Sequence, residues 1–584
     1  MRQNPLSRLV FLTVTALPYL IAQSRVAIIG AGVGGAFTAS RLAEIVGSEG
    51  SPELDVFEAA PTPGGRVQDL QYNGQALELG AAMFWEHNTL VREAALRLGL
   101  ELREPGGGDD DRDGRSGLSV WDGRRLVLNM TGSWSDTIRA ALRYGPAALR
   151  YGALVAGAFR RFRAVYGLQA AGSAWASPRE MLEALGLYGL TQQRCSDFME
   201  EWLIQPPWLF GGPAFCNEVA GAVNRCNYNQ NNEHMNALAC LVSFGPAAYG
   251  KTYQIVGGNR QLVTGLLAAS GARLLLGHKV ASVRHDNVTG QYWLHVRTSS
   301  TPEHSTAEAR EGGLDPAVGG VGTTARDLRQ AAGDEVDARW LDGADPEDRR
   351  LEDIQELGPY DAVVLATPLT GSDIRLNLSR SAVAPGAEAL VAASLESPGQ
   401  GAGAPGADGE EDGRGAAPRR SVPWTALQRP YQVTVTTYVE AGPLAAPFFG
   451  ATAMPPVSAV LVTSDAAVPL TAVAGRPAPA ANGSRPEGLF VYKVFSHAPL
   501  SLELLAALFE PQPQAPRVLD SRQWFAYPRF APPERLDPFV LAPGLVYGNA
   551  LEPAASAMEL AALAGANSAL LVARHLEGRG AGGR

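Results

Sequence analysis

The hydrophobic pattern opens with an apolar run from Leu9 to Ala22, preceded by Arg2 and Arg8. A bilayer span needs about 20 apolar residues, so the run has instead the proportions of the hydrophobic part of a secretion signal. The chain is therefore expected to carry a leader over residues 1–23, removed near Ala22 to Ser24, with an uncleaved anchor as the alternative. Directly afterwards, Arg25 to Gly30 (RVAIIG) is a short apolar run, followed by a glycine turn and an Ala-rich helical stretch through Glu44. Leu54 to Glu58 (LDVFE) then repeats the strand pattern. Strand, helix and strand in this order predict a parallel sheet with a crossover helix.

Further along, Ser135 to about Gln169 reads as helix, with aliphatic and aromatic residues interleaved with Arg139, Arg143, Arg150, Arg160, Arg161 and Arg163. Such a pattern suits a membrane surface or the rim of an apolar mouth, and equally an ordinary helix pair with a solvated basic face. Tyr360 to Leu369 (YDAVVLATPL) returns to the pattern of a buried strand, and Tyr431 to Tyr438 (YQVTVTTY) alternates like a strand of an antiparallel sheet. Between and beside these, residues 298–357 and the low-complexity residues 398–420 read as inserted surface loops.

Composition narrows the classes. With 584 residues, 46% of them hydrophobic and 18% charged, the chain supports more than one buried core. A net charge of -10 gives no basic face for nucleic acid. Cys195, Cys216, Cys226 and Cys240 have neither C-x-x-C spacing nor a histidine at ligand spacing, so no metal site is expected. One or two disulfides or four buried thiols are both compatible with the cysteine count. Glycosylation sequons begin at Asn129, Asn287, Asn377 and Asn482 and matter only in a secreted chain.

Gly30, Gly32 and Gly35 form G-x-G-x-x-G between a strand and a helix, and Glu58 ends the next strand. The first glycine permits the turn, the second lets backbone approach a pyrophosphate, and the third allows close packing of helix on sheet, while the acid suits a ribose. Dinucleotide binding follows. Pro63 to Val67 (PGGRV), containing Gly65 and Arg66, and Glu78 to Ala81 (ELGA) come next. With these segments the chain resembles the flavin amine oxidase and phytoene desaturase superfamily, which implies FAD rather than a nicotinamide. The resemblance further implies that backbone near Val280, in HKVASV, meets the adenine. It implies that Gly544 to Asn567, with Asn549 and Glu552 and a helix from about Pro553, closes over the flavin. A guanidinium at Arg66 suits a phosphate.

A narrower resemblance, to the prenylcysteine oxidase or lyase family, rests on four segments. They are Asn227 to Ser243 (NYNQNNEHMNALACLVS), Val256 to Leu267 (VGGNRQLVTGLL), Trp524 to Pro533 (WFAYPRFAPP) and the stretch GNALEPAASAMEL. It implies oxidation of farnesyl- or geranylgeranyl-cysteine by FAD and molecular oxygen to a prenyl aldehyde, cysteine and hydrogen peroxide. Candidate polar groups near the reacting carbon are His87, Asn227, Tyr228, Gln230 and His234. The fold class expected is α/β, a Rossmann-like FAD-binding domain with a second, mixed α+β substrate domain. The FAD-binding parts are 24–100, 251–297, 358–397 and 536–584, and the substrate parts are 101–250 and 421–535. A lysosome or vacuole, or the extracellular space, is the expected address, with peripheral membrane contact as a further expectation. A flavin enzyme for another apolar substrate, or a non-catalytic protein retaining FAD and lipid, remains an alternative at this point.

Overall fold

The computed structural model describes residues 24–46, 52–105, 117–205, 210–298, 354–379, 381–395, 429–464, 466–480, 488–513 and 515–582. The leader at 1–23, the stretch 398–420, most of 298–357 and the sequon at Asn482 lie outside the described residues.

The strand Arg25–Ile29 occupies the interior of a six-stranded sheet, between Glu53–Glu58 and Ala362–Leu365. Both pairings are parallel, with Val26 opposite Leu54 on one side and Ala362 on the other. Val26, Ala27 and Ile28 are fully buried, as a strand covered on both faces requires. Arg273–Leu276 adds outside Glu53–Glu58, while Leu545–Tyr547 adds outside Ala362–Leu365 and carries the antiparallel edge strand Val540–Ala542. One sheet thus draws on the start, middle and end of the chain.

The helix Val33–Val46 lies against the closing helix Met558–Gly582. Gly565 makes the close approach possible, because a Cβ there would stand 2.5 Å from the carbonyl oxygen of Gly34. Thr38 Oγ1 bridges the two helices by donating to Gly34 O at 2.8 Å and to Gly565 O at 3.3 Å.

Two observations correct the sequence-based boundaries. Residues 354–357 belong to a strand, Ile354–Tyr360, which pairs antiparallel with Tyr292–Thr298 in a four-stranded sheet. The inserted stretch therefore joins two partners of one hairpin, and its last residues bond back along the first. The closing helix starts at Met558 instead of Pro553. Gly548–Leu551 forms a tight turn, and the carbonyl of Pro553 accepts a bond from Asn236 Nδ2 at 3.1 Å rather than from a helix amide.

A seven-stranded sheet carries Arg517–Pro528, Tyr431–Ala441 and Phe490–Ser496 side by side, and reaches Leu118–Trp121 and Leu126–Met130 at its other end. The helical region holds a disulfide between Cys195 and Cys240, 45 residues apart. Cys216 and Cys226 are free thiols, which burial pushes up to about 12 and about 11. No described helix is long and apolar enough to cross a membrane. Among the described sequons, Asn129 and Asn377 sit in strands and Asn287 in an exposed turn.

Closing a loop of this length constrains the unfolded chain, so replacing Cys195 and Cys240 together by alanine is expected to lower stability by roughly 2–5 kcal/mol. Denaturant unfolding checks it. Reductant should destabilise the parent protein and leave the double variant unchanged.

Candidate active site

The three motif glycines do different things. Gly30 has φ +109°, and a Cβ there would lie 2.9 Å from Ala366 O, while a Cβ at Gly35 would lie 1.9 Å from Gly30 O. Those two positions admit no side chain because the protein's own backbone is in the way. Around Gly32, by contrast, the nearest atoms to a Cβ would be Gly64 O and Gly65 Cα, both at 3.9 Å. Protein packing therefore does not close off the space beside Gly32.

Gly65, at φ +57°, faces Gly32 from the PGGRV loop, so two bare stretches of backbone meet across a gap. Gly64 N donates to Ala31 O at 2.9 Å and holds the loops together. The N-terminal turn of Val33–Val46 opens at the same place, where first-turn amides lack helical partners and favour an anion. Glu58 accepts from Ala31 N and from Ala60 N, each at 2.9 Å. Those bonds orient the carboxylate and leave each oxygen a further lone pair for a sugar hydroxyl. Val280 is buried in the strand His278–His285, whose register slips between Val280 and Ser282. That strand begins beside the acid, since Gly277 N donates to Ala60 O at 3.1 Å. A pyrophosphate between two glycine faces, with a ribose at Glu58, fits this cradle.

Arg66, for which the sequence suggested a phosphate contact, is held by protein groups through one of its nitrogens. Its Nη1 is paired with the carboxylate of Glu552 and also donates to Ala526 O at 2.9 Å. Glu552 in turn accepts from Tyr431 Oη at 2.7 Å, from Ser556 Oγ at 2.9 Å and from Asn549 Nδ2. This buried carboxylate ties the loop of Arg66 to the closing segment and to the strand Tyr431–Ala441. Burial, followed by the Glu552 charge, holds the Tyr431 hydroxyl well above its ordinary range.

The candidate polar groups separate into two sets. Tyr228 packs edge-on against Tyr527 at 5.0 Å and Phe530 at 5.2 Å, and burial raises its hydroxyl. Gln230 donates to Pro528 O at 3.1 Å and accepts from Phe530 N at 3.0 Å, fastening the same strand that receives Arg66. These two therefore share a layer with Arg66, Asn549 and Glu552. Asn227 instead straps two helices by donating to Ser243 O at 3.0 Å. His234 is exposed, and His87 packs in an aromatic nest with Trp85 at 4.6 Å, Phe159 at 5.0 Å and Tyr249 at 5.6 Å. Neither histidine is among the groups on Glu552.

Sequence reasoning missed a half-buried cation. Lys493 Nζ donates to Gly80 O at 3.1 Å and stands 4.7 Å from the Phe495 ring, with burial bringing its amine down to about 8. Gly80 is pressed on Arg66, since a Cβ there would be 1.9 Å from Arg66 O. Burial pushes the neighbouring Glu78 carboxyl up to about 7, although Asn259 N donates to it. The available signal was a lysine inside the apolar strand Phe490–Ser496 of a chain with three lysines.

The family model described as prenylcysteine lyase matches residues 128–309 and 419–581, which include Tyr228, Gln230, Tyr431, Trp524 and Glu552. The chain belongs to the prenylcysteine lyase family. A model of the NAD(P)-binding Rossmann-like domain matches residues 28–96, the span of the glycine turn, Glu58 and Arg66. Mouse prenylcysteine oxidase 1 is 26% identical over 94% of this chain and 88% of its own length. Farnesylcysteine lyase of Arabidopsis thaliana is 24% identical over 94% of this chain and 87% of its own. A solved cyclohexylamine oxidase from Brevibacterium oxydans aligns over 95% of this chain at 15% identity, with a TM-score of 0.47.

In this family member, Gly32→Val should fold yet fail to retain its dinucleotide, because the added side chain meets only the cradle. Gly35→Val should not fold, because it meets Gly30 O. Visible absorbance of the purified protein and its thermal melt separate the two, and a yellow, cofactor-loaded Gly32→Val protein would reject the assignment of the cradle.

A second expectation concerns Glu78. The folded state holds a proton there up to about pH 7 that the unfolded carboxyl releases near 4.5. Its contribution therefore turns unfavourable as pH rises through that window, and the full penalty stands above 7. Glu78→Gln should gain stability over the parent at pH 8 relative to pH 5, by on the order of a few kcal/mol at most. Equal differences in melting temperature at both pH values would refute this.

Proposed function

We propose that this member of the prenylcysteine lyase family is an FAD-dependent oxidase that cleaves the thioether of S-prenyl-L-cysteine, farnesyl or geranylgeranyl. The observation that carries the reading is the extent of the family match. It runs beyond the nucleotide unit into the central helices and the strand Arg517–Pro528, the elements that place Tyr228, Gln230 and Phe530 beside the Arg66 and Glu552 pair. The names of the mouse and Arabidopsis relatives point to the same substrate class.

In the balanced reaction a prenyl thioether, molecular oxygen and water give a prenyl aldehyde, the thiol of free cysteine and hydrogen peroxide. The carbon next to sulfur loses two electrons and oxygen gains them. FAD, when bound, supplies the hydride acceptor.

The protein's residues supply position and environment. Gly32 and Gly65 present bare backbone to the pyrophosphate, and Glu58 presents an oriented acceptor to the ribose. Arg66 and Glu552 hold the closing segment against the loop, while Asn549 is fixed by the same carboxylate. The layer of Tyr228, Tyr527 and Phe530 keeps water from an apolar chain, and the raised hydroxyls of Tyr228 and Tyr527 stay protonated, with Tyr527 pushed up to about 12. Tyr228 and Gln230 act as positioning groups in this reading. The Cys195–Cys240 disulfide favours an oxidising compartment, in keeping with entry into the secretory pathway and delivery to a lysosome or vacuole.

Farnesylcysteine added without oxygen should bleach the flavin, and air should restore the colour. Aerobic turnover should release cysteine, farnesal and peroxide in equal amounts. Cysteine formed without peroxide, or a loaded flavin that stays oxidised with farnesylcysteine and bleaches with another apolar amine or polyene, would defeat the proposal.

A further inference from the structure

The long helix Trp134–Phe162 carries an outer face that its buried face does not explain. Asp136, Tyr144, Ala147, Tyr151 and Val155 turn inward and are buried. Trp134, Ile138 and Leu142, at four-residue spacing on its first half, remain 75%, 48% and 76% exposed. Gly145 breaks the helix with φ 51°, and Pro146 follows. The ring of Phe210 rests on this break, since a Cβ at Gly145 would lie 2.3 Å from it, yet Phe210 is 61% exposed. Leu149, just beyond, is 79% exposed. Trp134, Ile138 and Leu142 share one face of the first half, and Phe210 and Leu149 add large exposed apolar side chains at the kink and just beyond it, more than singly scattered exposure accounts for.

Charge selects the occupant. Residues 134–170 hold six arginines and one acidic residue, Asp136, in a chain of net charge -10. Arg139 is paired with Asp136, Arg143 with Glu218, and Arg150 lies over the Trp202 ring at 5.2 Å. Arg161 donates to Gly186 O at 2.7 Å, so those four have partners in the fold, whereas Arg160 and Arg163 are exposed. A second copy docking here would bring two arginine-rich surfaces together and meet like-charge repulsion. Anionic lipid meets both features: acyl chains accept the apolar side chains, and headgroups accept arginines whose stems lie along the interface.

We infer that the outer face of Trp134–Phe162, anchored by Trp134, Ile138, Leu142, Leu149 and Phe210, docks this protein on an anionic lipid bilayer. The contact is interfacial, because no described helix is able to span. The anchor is the apolar stripe, and the exposed arginines set the preference for negative headgroups. The inference rests on exposure and charge alone. Joined to the proposed oxidation, it places the enzyme where a prenylated amino acid partitions.

The test is flotation of the full, flavin-loaded chain with phosphatidylcholine vesicles and with vesicles enriched in phosphatidylserine. The parent should float with the anionic vesicles. Joint replacement Trp134→Ser, Leu142→Ser, Leu149→Ser and Phe210→Ser should weaken partition at least about tenfold, a loss of about 1.4 kcal/mol. Melting temperature and flavin absorbance should hold, which separates a lost surface from a lost fold. Arg160→Glu with Arg163→Glu should reduce the preference for phosphatidylserine while the apolar anchor persists. A parent that floats with neither vesicle, or a quadruple variant that floats as well as the parent, overturns the inference. Concentration-dependent self-association that the quadruple variant abolishes, without vesicle binding, assigns the face to a second copy and overturns it too. Turnover of dissolved farnesylcysteine, measured on the same samples, reports separately on the proposed chemistry.

Discussion

The ion pair of Arg66 with Glu552 joins positions 486 residues apart, and the geometry of the cradle depends on it. Arg66 follows the glycines that face Gly32, so whatever fixes its side chain also fixes that loop. Glu552 follows the strand Leu545–Tyr547 and precedes the closing helix, so it fixes the far end of the chain. Desolvating two charges is costly, and a half-buried pair of this kind contributes less to stability than to arrangement. Here the carboxylate is compensated by Tyr431, Asn549 and Ser556 as well as by the guanidinium, so its charge is held in one place. The outcome is a chain whose two ends and middle meet at one point of the sheet.

Close backbone approach is the second constraint. Gly35 on Gly30, Gly80 on Arg66 and Gly565 on Gly34 each remove the space a side chain would need. These contacts pull the glycine turn, the ELGA segment and the closing helix into one compact layer. Gly32 stands apart because its surroundings are open, with the nearest protein atoms 3.9 Å from where a Cβ would lie. Lys493 and Glu78 sit behind the same layer, each shifted toward neutrality by burial, with Gly80 O as the contact between the lysine and the cradle.

The order strand, glycines, helix, strand and acid sufficed to predict the parallel pairing and the position of Glu58, because local patterning and turn chemistry act over a few residues. The strands Ala362–Leu365 and Tyr431–Ala441 were legible for the same reason, through an apolar run and an alternating one. The family resemblance was legible in the quoted segments, and the family match covers them. By itself, however, the sequence left the cysteine pairing open, extended the inserted stretch to residue 357 and started the closing helix too early.

Only the tertiary structure decided the partners. It gave Arg66 a carboxylate from the opposite end of the chain, paired Cys195 with Cys240, and kept His87 and His234 off the Glu552 network. It also turned a helix with mixed arginines and apolar residues into one with a buried face and an apolar outer one, divided at Gly145. The physical reason is common to all of these. Periodicity and turn propensity are properties of neighbouring residues, whereas an ion pair, a disulfide or an exposed stripe is defined by which distant surfaces come to lie against each other. The sequence determined a dinucleotide cradle and its family, and packing determined which side chains hold that cradle closed.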